Sequence, residues 1–232
     1  MKFSTLNESN LHNSLKNIYC NLYNGQTEVE KYGHIYDIIT KNQNVIEIQT
    51  KNLSKLLPKI IDTIKKGHNI KIVHPVITEK KIELRDSNNN LISCRKSPKK
   101  ENIYSIFKEL TGIYEVLLNP HFSLEIVYIK ITEERIRTQE KVQSQNNKRR
   151  FKKNWIKTNK RLDSIIQTTK FNSKNDWLSL LPKLPETFCA KDLEEKIGKK
   201  NNPHLILWIF VRINLITLDR TKKRTKFYKL SD

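Results

Sequence analysis

The chain has 232 residues, with 44 Lys and Arg against 24 Asp and Glu for a net charge of +20, and 37% hydrophobic residues. That length admits one large domain or two small ones, and the apolar content suffices for a core, which sets a disordered chain aside. The longest apolar run, residues 205–211, is far below the ~18 a membrane span needs, and the N-terminus lacks the apolar stretch of a signal peptide. Cys20, Cys94 and Cys189 are scattered and odd in number, so the expectation is a reducing cytoplasm, without a disulfide framework or a zinc knuckle.

In chain order, Leu11, Leu15, Ile18 and Leu22 recur at helical spacing and predict an amphipathic helix over residues 7–23. Three short β-branched runs follow, at 27–30, 34–40 and 45–50, separated by turns at 31–33 and 41–44, and read as an antiparallel meander. Asn52 reads as the N-cap of a helix carrying Leu53, Leu56, Leu57, Ile60, Ile61 and Ile64 that stops at Gly67. Residues 69–76 form the next strand, and strand, helix, strand signals a right-handed parallel crossover. The first 76 residues therefore read α-β-β-β-α-β.

Beyond them, 79–97 predicts a hairpin, 102–118 a helix and 123–131 a strand. Residues 135–161 are basic and poor in apolar residues, and are expected as a connector or a surface extension. In the last ~50 residues, two short helices at 191–197 and 203–214 precede a strand pair with a basic tip. With a first helix around Trp177, Leu180 and Leu181, this order resembles a winged helix-turn-helix.

The acids are unevenly placed. Residues 1–50 carry a net charge of −1, whereas 141–170 carry +9 and 191–232 carry +6. Glu47 and Gln49 lie two apart on a predicted strand and so share a face, and Asp37 lies on the strand before it. Cross-strand neighbours come within about 5–8 Å, and two carboxylates that close in a half-buried sheet call for a compensating cation. Glu8 and His12 fall on the helix face that packs inward, so a third acid points at the same region.

Glu8 on the helix, Asp37 on the second strand and Glu47-x-Gln49 on the third resemble the PD-(D/E)XK nuclease superfamily, whose core is α-β-β-β-α-β. The resemblance covers about residues 5–76 and implies an α/β, restriction-endonuclease-like core with a mixed sheet, occupying residues 1–135. It implies catalytic roles for Glu8, Asp37, Glu47 and Gln49, with Asp37 and Glu47 holding Mg²⁺ or Mn²⁺. The sequence departs from the pattern at Gln49, where most members carry Lys; Lys51, Lys55 or Lys59 could supply the missing ammonium.

The connector, 136–170, sets Arg149, Arg150, Lys152, Lys153 and Trp155 together, a pattern that pairs phosphates and stacks bases. In the winged unit, 171–232, Lys199, Lys200, Arg220, Lys222, Lys223 and Arg224 lie on the helix turn and the wing. The expectation is a metal-dependent endodeoxyribonuclease acting on double-stranded DNA, cytoplasmic and nucleoid-associated, with no membrane. Homodimer formation goes with that class of enzyme. The alternative is a nuclease-fold DNA-binding regulator or scaffold in which Gln49 marks the loss of activity, and an RNA-processing protein shares the charge pattern.

Overall fold

A computed structural model of the chain describes residues 10–144, 147 and 149–231. Among these residues no helix is long and apolar enough to cross a membrane. Helix α1 (Asn10–Leu22) buries Leu11, Leu15 and Tyr19. That is an i, i+4, i+8 stripe, and it leaves Ile18 and Leu22 outside, 40% and 65% exposed. Strands β1 (Gln26–Lys31), β2 (His34–Ile39) and β3 (Val45–Ile48) form the meander. A 3₁₀ turn (Leu53–Leu56) leads into α2 (Leu57–Lys65), whose Pro58 sits in the first turn where its missing N–H is harmless. Strand β4 (Ile70–Arg85) then returns parallel to β3.

The strand expected at 69–76 and the first arm of the hairpin expected at 79–97 are one 16-residue strand. The interruption that the sequence suggests is absorbed by a bulge between Ile77 and Glu79. Pro75 is tolerated because the Val73 carbonyl, two residues earlier, takes the last pairing of the β3 edge, from the Gln49 N–H. The missing donor of Pro75 therefore falls past the end of β3. Strand β5 (Leu91–Lys96) pairs antiparallel with residues 81–85 of β4.

Residues 102–118 form no single helix. A 3₁₀ turn (Ile103–Ile106), one turn of α-helix α3 (Phe107–Leu110) and a second 3₁₀ turn (Tyr114–Val116) take its place. Gly112, at the break, lies against the 3₁₀ turn that precedes α2; a Cβ there would stand 2.3 Å from Ser54 Cβ. Strands β6 (Phe122–Val142) and β7 (Lys153–Phe171) form a long antiparallel hairpin. Residues 136–142 and 153–170, within the stretch expected as a connector or surface extension, are paired strands of the sheet, and their polar residues reflect strands that leave the core.

The sheet runs β1-β2-β3-β4-β6-β7, with β3, β4 and β6 parallel and the other pairings antiparallel. Its faces carry different cores. Helix α1 covers Ile38, Ile46, Ile48, Val73, Val127, Ile129 and Ile131. Helices α2 and α3 cover Tyr36, Val45, Ile70, Ile72, Val76, Leu124 and Ile126.

The remaining residues give α4 (Lys174–Leu178), β8 (Phe188–Cys189), α5 (Ala190–Ile197), α6 (Pro203–Arg212), β9 (Ile216–Lys222) and β10 (Thr225–Leu230). Their three strands are ordered β8-β10-β9. Helix α4 starts with a capping box between Ser173 and Asp176. Trp177 stacks on Phe171 at 4.6 Å, and its indole N–H donates to the Leu117 carbonyl. Phe210 of α6 packs against Phe107. This unit therefore shares one continuous core with the α2 face of the large sheet.

Candidate functional site: a carboxylate pair where two strands part

The β2–β3 ladder pairs Ile39 with Val45 and Ile38 with Ile46, and goes no further. At the next position side chains take over the backbone's bonds. The Asp37 N–H donates to Glu47 Oε1 at 3.0 Å, and the Ile48 N–H donates to Asp37 Oδ2 at 2.8 Å. Meanwhile β3 stays paired to β4 through Ile48–Val73 and the Gln49 N–H. The two strands separate, and both predicted carboxylates sit in the fork.

Lys59 of α2 enters the same fork. Its Nζ donates to Glu47 Oε1 at 2.7 Å and to the Ile35 carbonyl, and lies 4.8 Å from the centroid of the Tyr36 ring. The Tyr36 hydroxyl bonds the Thr63 hydroxyl, one turn further along α2, which fixes the ring that guides the lysine. On the other side, His12 Nε2 lies 3.2 Å from Asp37 Oδ2. The helix-face position expected of His12 thus brings it onto a carboxylate.

The two acids differ in charge state. Burial, then the charge of Asp37, pushes Glu47 up to about 7 despite Lys59 and the Asp37 N–H. Burial also acts on Asp37, but His12, the Ile48 N–H and Lys59 outweigh it and hold its carboxyl below the ordinary value. At neutral pH the pair therefore holds one firm negative charge and one carboxyl near its midpoint.

Gln49 is placed beside this group but its amide turns away, with Nε2 donating to the Asn52 carbonyl at 3.3 Å. Its backbone is fixed by His74. Burial holds that ring below its ordinary value, and Nδ1 meets the Gln49 carbonyl at 2.7 Å. Asn52 adopts a left-handed conformation, φ 55°, which asparagine accepts readily. Glu8 lies outside the described residues. Among the described residues, no group of three or more His, Cys, Asp and Glu is disposed to hold a metal.

The predicted nucleic-acid residues fall in two groups. At the hairpin end, Lys152 and Lys153 are exposed, and Arg150 lies near the Phe151 ring. Trp155 is enclosed: the guanidinium groups of Arg135 and Arg149 lie 3.6 and 3.8 Å from its ring, so it braces arginines rather than offering a face for a base. In the C-terminal unit, Lys199 and Lys200 are exposed in the turn before α6. Lys222, Lys223 and Arg224 are exposed at the β9–β10 turn, and Arg220 is tied to Asp219 at 2.8 Å.

A third basic group is not visible in the sequence. Lys80 of β4, Arg135 of β6 and Lys157 and Lys160 of β7 gather around Glu133 of β6, and Lys51 reaches them from the loop after Gln49. Burial, then Lys157 and Lys51, lowers the Lys160 ammonium to about 8. The only sequence signal is the basic run on β7, since Lys80 and Lys51 come from distant parts of the chain.

An uncharacterized protein of Treponema pallidum (strain Nichols) is 30% identical over 230 residues, covering 99% of this chain and 88% of that protein. No solved structure matches the chain. The match to a described family ends at residue 172, one residue past β7, and so takes in α1, the whole large sheet and the carboxylate fork. On that match over residues 9–172, the chain belongs to the family described as Domain of unknown function (DUF8091).

Proposed function

We propose that the chain is a metal-dependent endonuclease of restriction-endonuclease-like fold that hydrolyses DNA phosphodiester bonds. The observation that carries this reading is the fork itself: Asp37, Glu47 and a lysine converge where two sheet strands part. The element order supports it, with α1 on one face, a meander, the α2 crossover and a parallel β4. So does the C-terminal order of helix, strand, two helices and strand pair, which is that of a winged helix.

Lys59 stands in for the lysine that Gln49 does not provide. It arrives from the helix instead of the strand, and it touches the same carboxylate. Glu47 and Asp37 are hard oxygen donors, and a divalent cation fits them, because it can displace the proton that burial and Asp37 force onto Glu47. Bound there, the ion would supply Lewis acidity and a lowered pKa for water. The chain's own residues do the rest. Lys59 Nζ, held at three points, presents a fixed positive charge to a phosphate oxygen, and its contact with Glu47 keeps that carboxylate oriented. His12 holds Asp37 ionised.

The test is incubation of supercoiled and linear duplex DNA with Mg²⁺ or Mn²⁺ against EDTA. The native protein nicks DNA only with metal, and Asp37→Asn and Lys59→Met each lose at least about 100-fold in rate, as expected for groups that stabilise transition-state charge. Full cleavage by Asp37→Asn sinks the reading. Binding without cleavage on every substrate favours instead a nuclease-fold DNA-binding scaffold, to which the averted Gln49 amide would belong.

A further inference from the structure

The distal blade of the sheet, where β4, β6 and β7 run beyond the end of α1, has two unlike faces. On one, Arg161 meets Glu83, Glu134 and Asp163 at 3.1–3.6 Å, and Arg85 meets Glu83 at 2.8 Å. Charge there is neutralised within the protein. Side chains alternate along β6, so Glu133 and Arg135 lie on the opposite face from Glu134, in line with Ile129 and Ile131 of the α1-side core. On that face Lys51, Lys80, Arg135, Lys157 and Lys160 gather around Glu133, whose single negative charge is shared between Arg135 and, at 3.5 Å, Lys80.

We infer that Lys51, Lys80, Lys157 and Lys160 form a cradle for the phosphodiester backbone of a nucleic acid, feeding the strand toward the Asp37–Glu47 fork. The cradle is built rather than incidental. Arg135 is pinned between Glu133 and the Trp155 ring, and Lys157 and Lys160 are half-buried on a paired strand, so the ammonium groups are held in place while their charges repel. The lowered Lys160 value reflects burial together with that repulsion, and an anion relieves the repulsion. The position fits a running polyanion better than a compact one. The lysines extend from β4 to β7, and Lys51 lies two residues beyond Gln49, linking the cluster to the fork. The inference rests on the nuclease reading for what the strand is delivered to, but the binding itself does not depend on cleavage.

The full-length protein is titrated with a labelled DNA duplex in EDTA over a series of salt concentrations, and a matching RNA duplex forms the second arm. The Lys157→Gln/Lys160→Gln protein loses about tenfold or more in affinity, and its slope of log affinity against log salt shrinks by about 2, near the ~0.9 per phosphate contact. Lys80→Gln, on another strand, shrinks the slope by about 1. Thermal unfolding of the Lys157→Gln/Lys160→Gln protein shows no loss of stability, because those substitutions remove repulsion. Equal losses on DNA and RNA mark a backbone cradle indifferent to the sugar, and losses confined to one duplex identify that strand. Unchanged affinity and slope on both duplexes, in both variants, overturn the cradle. A native protein that binds in this lysine-dependent way yet cuts nothing ends the nuclease reading and leaves the cradle standing. Lysine variants that cut and bind as the native protein does remove the cradle and leave the nuclease reading standing.

Discussion

Burying Glu47 beside Asp37 stores a proton in the fork, at the place proposed for a metal. The carboxyl titrates near 7 in the folded chain against an ordinary 4.5, so the native state binds that proton more tightly than the unfolded chain. Its favourable contribution is complete below pH 4.5 and is lost as pH rises through 7. A Glu47→Gln protein does not titrate there. Measured by denaturant unfolding, its stability relative to the native protein should climb between pH 4.5 and 7, by an amount on the order of 3 kcal/mol at most. Mn²⁺ binding to the native protein should tighten over the same window as the ion displaces the proton, and should be lost in Glu47→Gln. A stability difference flat with pH would remove the proton from Glu47 and with it the charge asymmetry of the fork.

Single elements explain what can be read in the sequence and what cannot. Asp37 and Glu47 are legible because alternation on short strands fixes which side chains share a face, and the meander is announced by Gly33 and the Asn-rich turn. Lys59 is legible only as one of three lysines, since α2's approach to the fork depends on the 3₁₀ turn and on Gly112 packing against Ser54, contacts made across the fold. The long hairpin is hidden because β6 and β7 leave the core. Once past Ile131 their side chains lie on an extended blade, and apolar alternation fades although the ladder continues to Val142–Lys153. Pairing, not burial, holds those residues in strands. That blade predicts its own pH behaviour. Lys160 titrates near 8 in the folded chain and near 10.5 when free, so the folded state disfavours its charge. Native stability therefore rises as pH climbs from 8 to 10.5. Lys160→Met, which keeps the apolar stem, should melt above the native protein at pH 7, with the gap closing above pH 10.5. A Lys160→Met melting point below the native one at neutral pH would show that the ammonium is paired rather than crowded.

At the scale of the whole molecule, the C-terminal unit is set by packing rather than by a linker. The strongly apolar α6 buries Ile206, Leu207, Ile209 and Phe210, and its partly exposed Trp208 meets the Tyr114 ring edge-on at 5.4 Å, so the helix is anchored to the body that carries the fork. The tip of the β9–β10 pair, with Lys222, Lys223 and Arg224, stays exposed. If the unit binds DNA as proposed, the contact falls to this tip, since α6 is turned toward the protein. The shared core also makes a thermodynamic demand. Phe210 has no solvent exposure and packs on Phe107, which belongs to the large sheet's covering layer. Phe210→Ala should cost about 3–5 kcal/mol. At roughly 2–4 °C per kcal/mol for a chain of this size, the melting point should fall by about 6–20 °C. Because the core is continuous, calorimetry should show one transition in both proteins, and the loss should be the same whether followed by the tryptophans of the C-terminal unit or by far-UV signal from the sheet. Two transitions, with Phe210→Ala lowering only one, would mean that the C-terminal unit folds apart from the sheet.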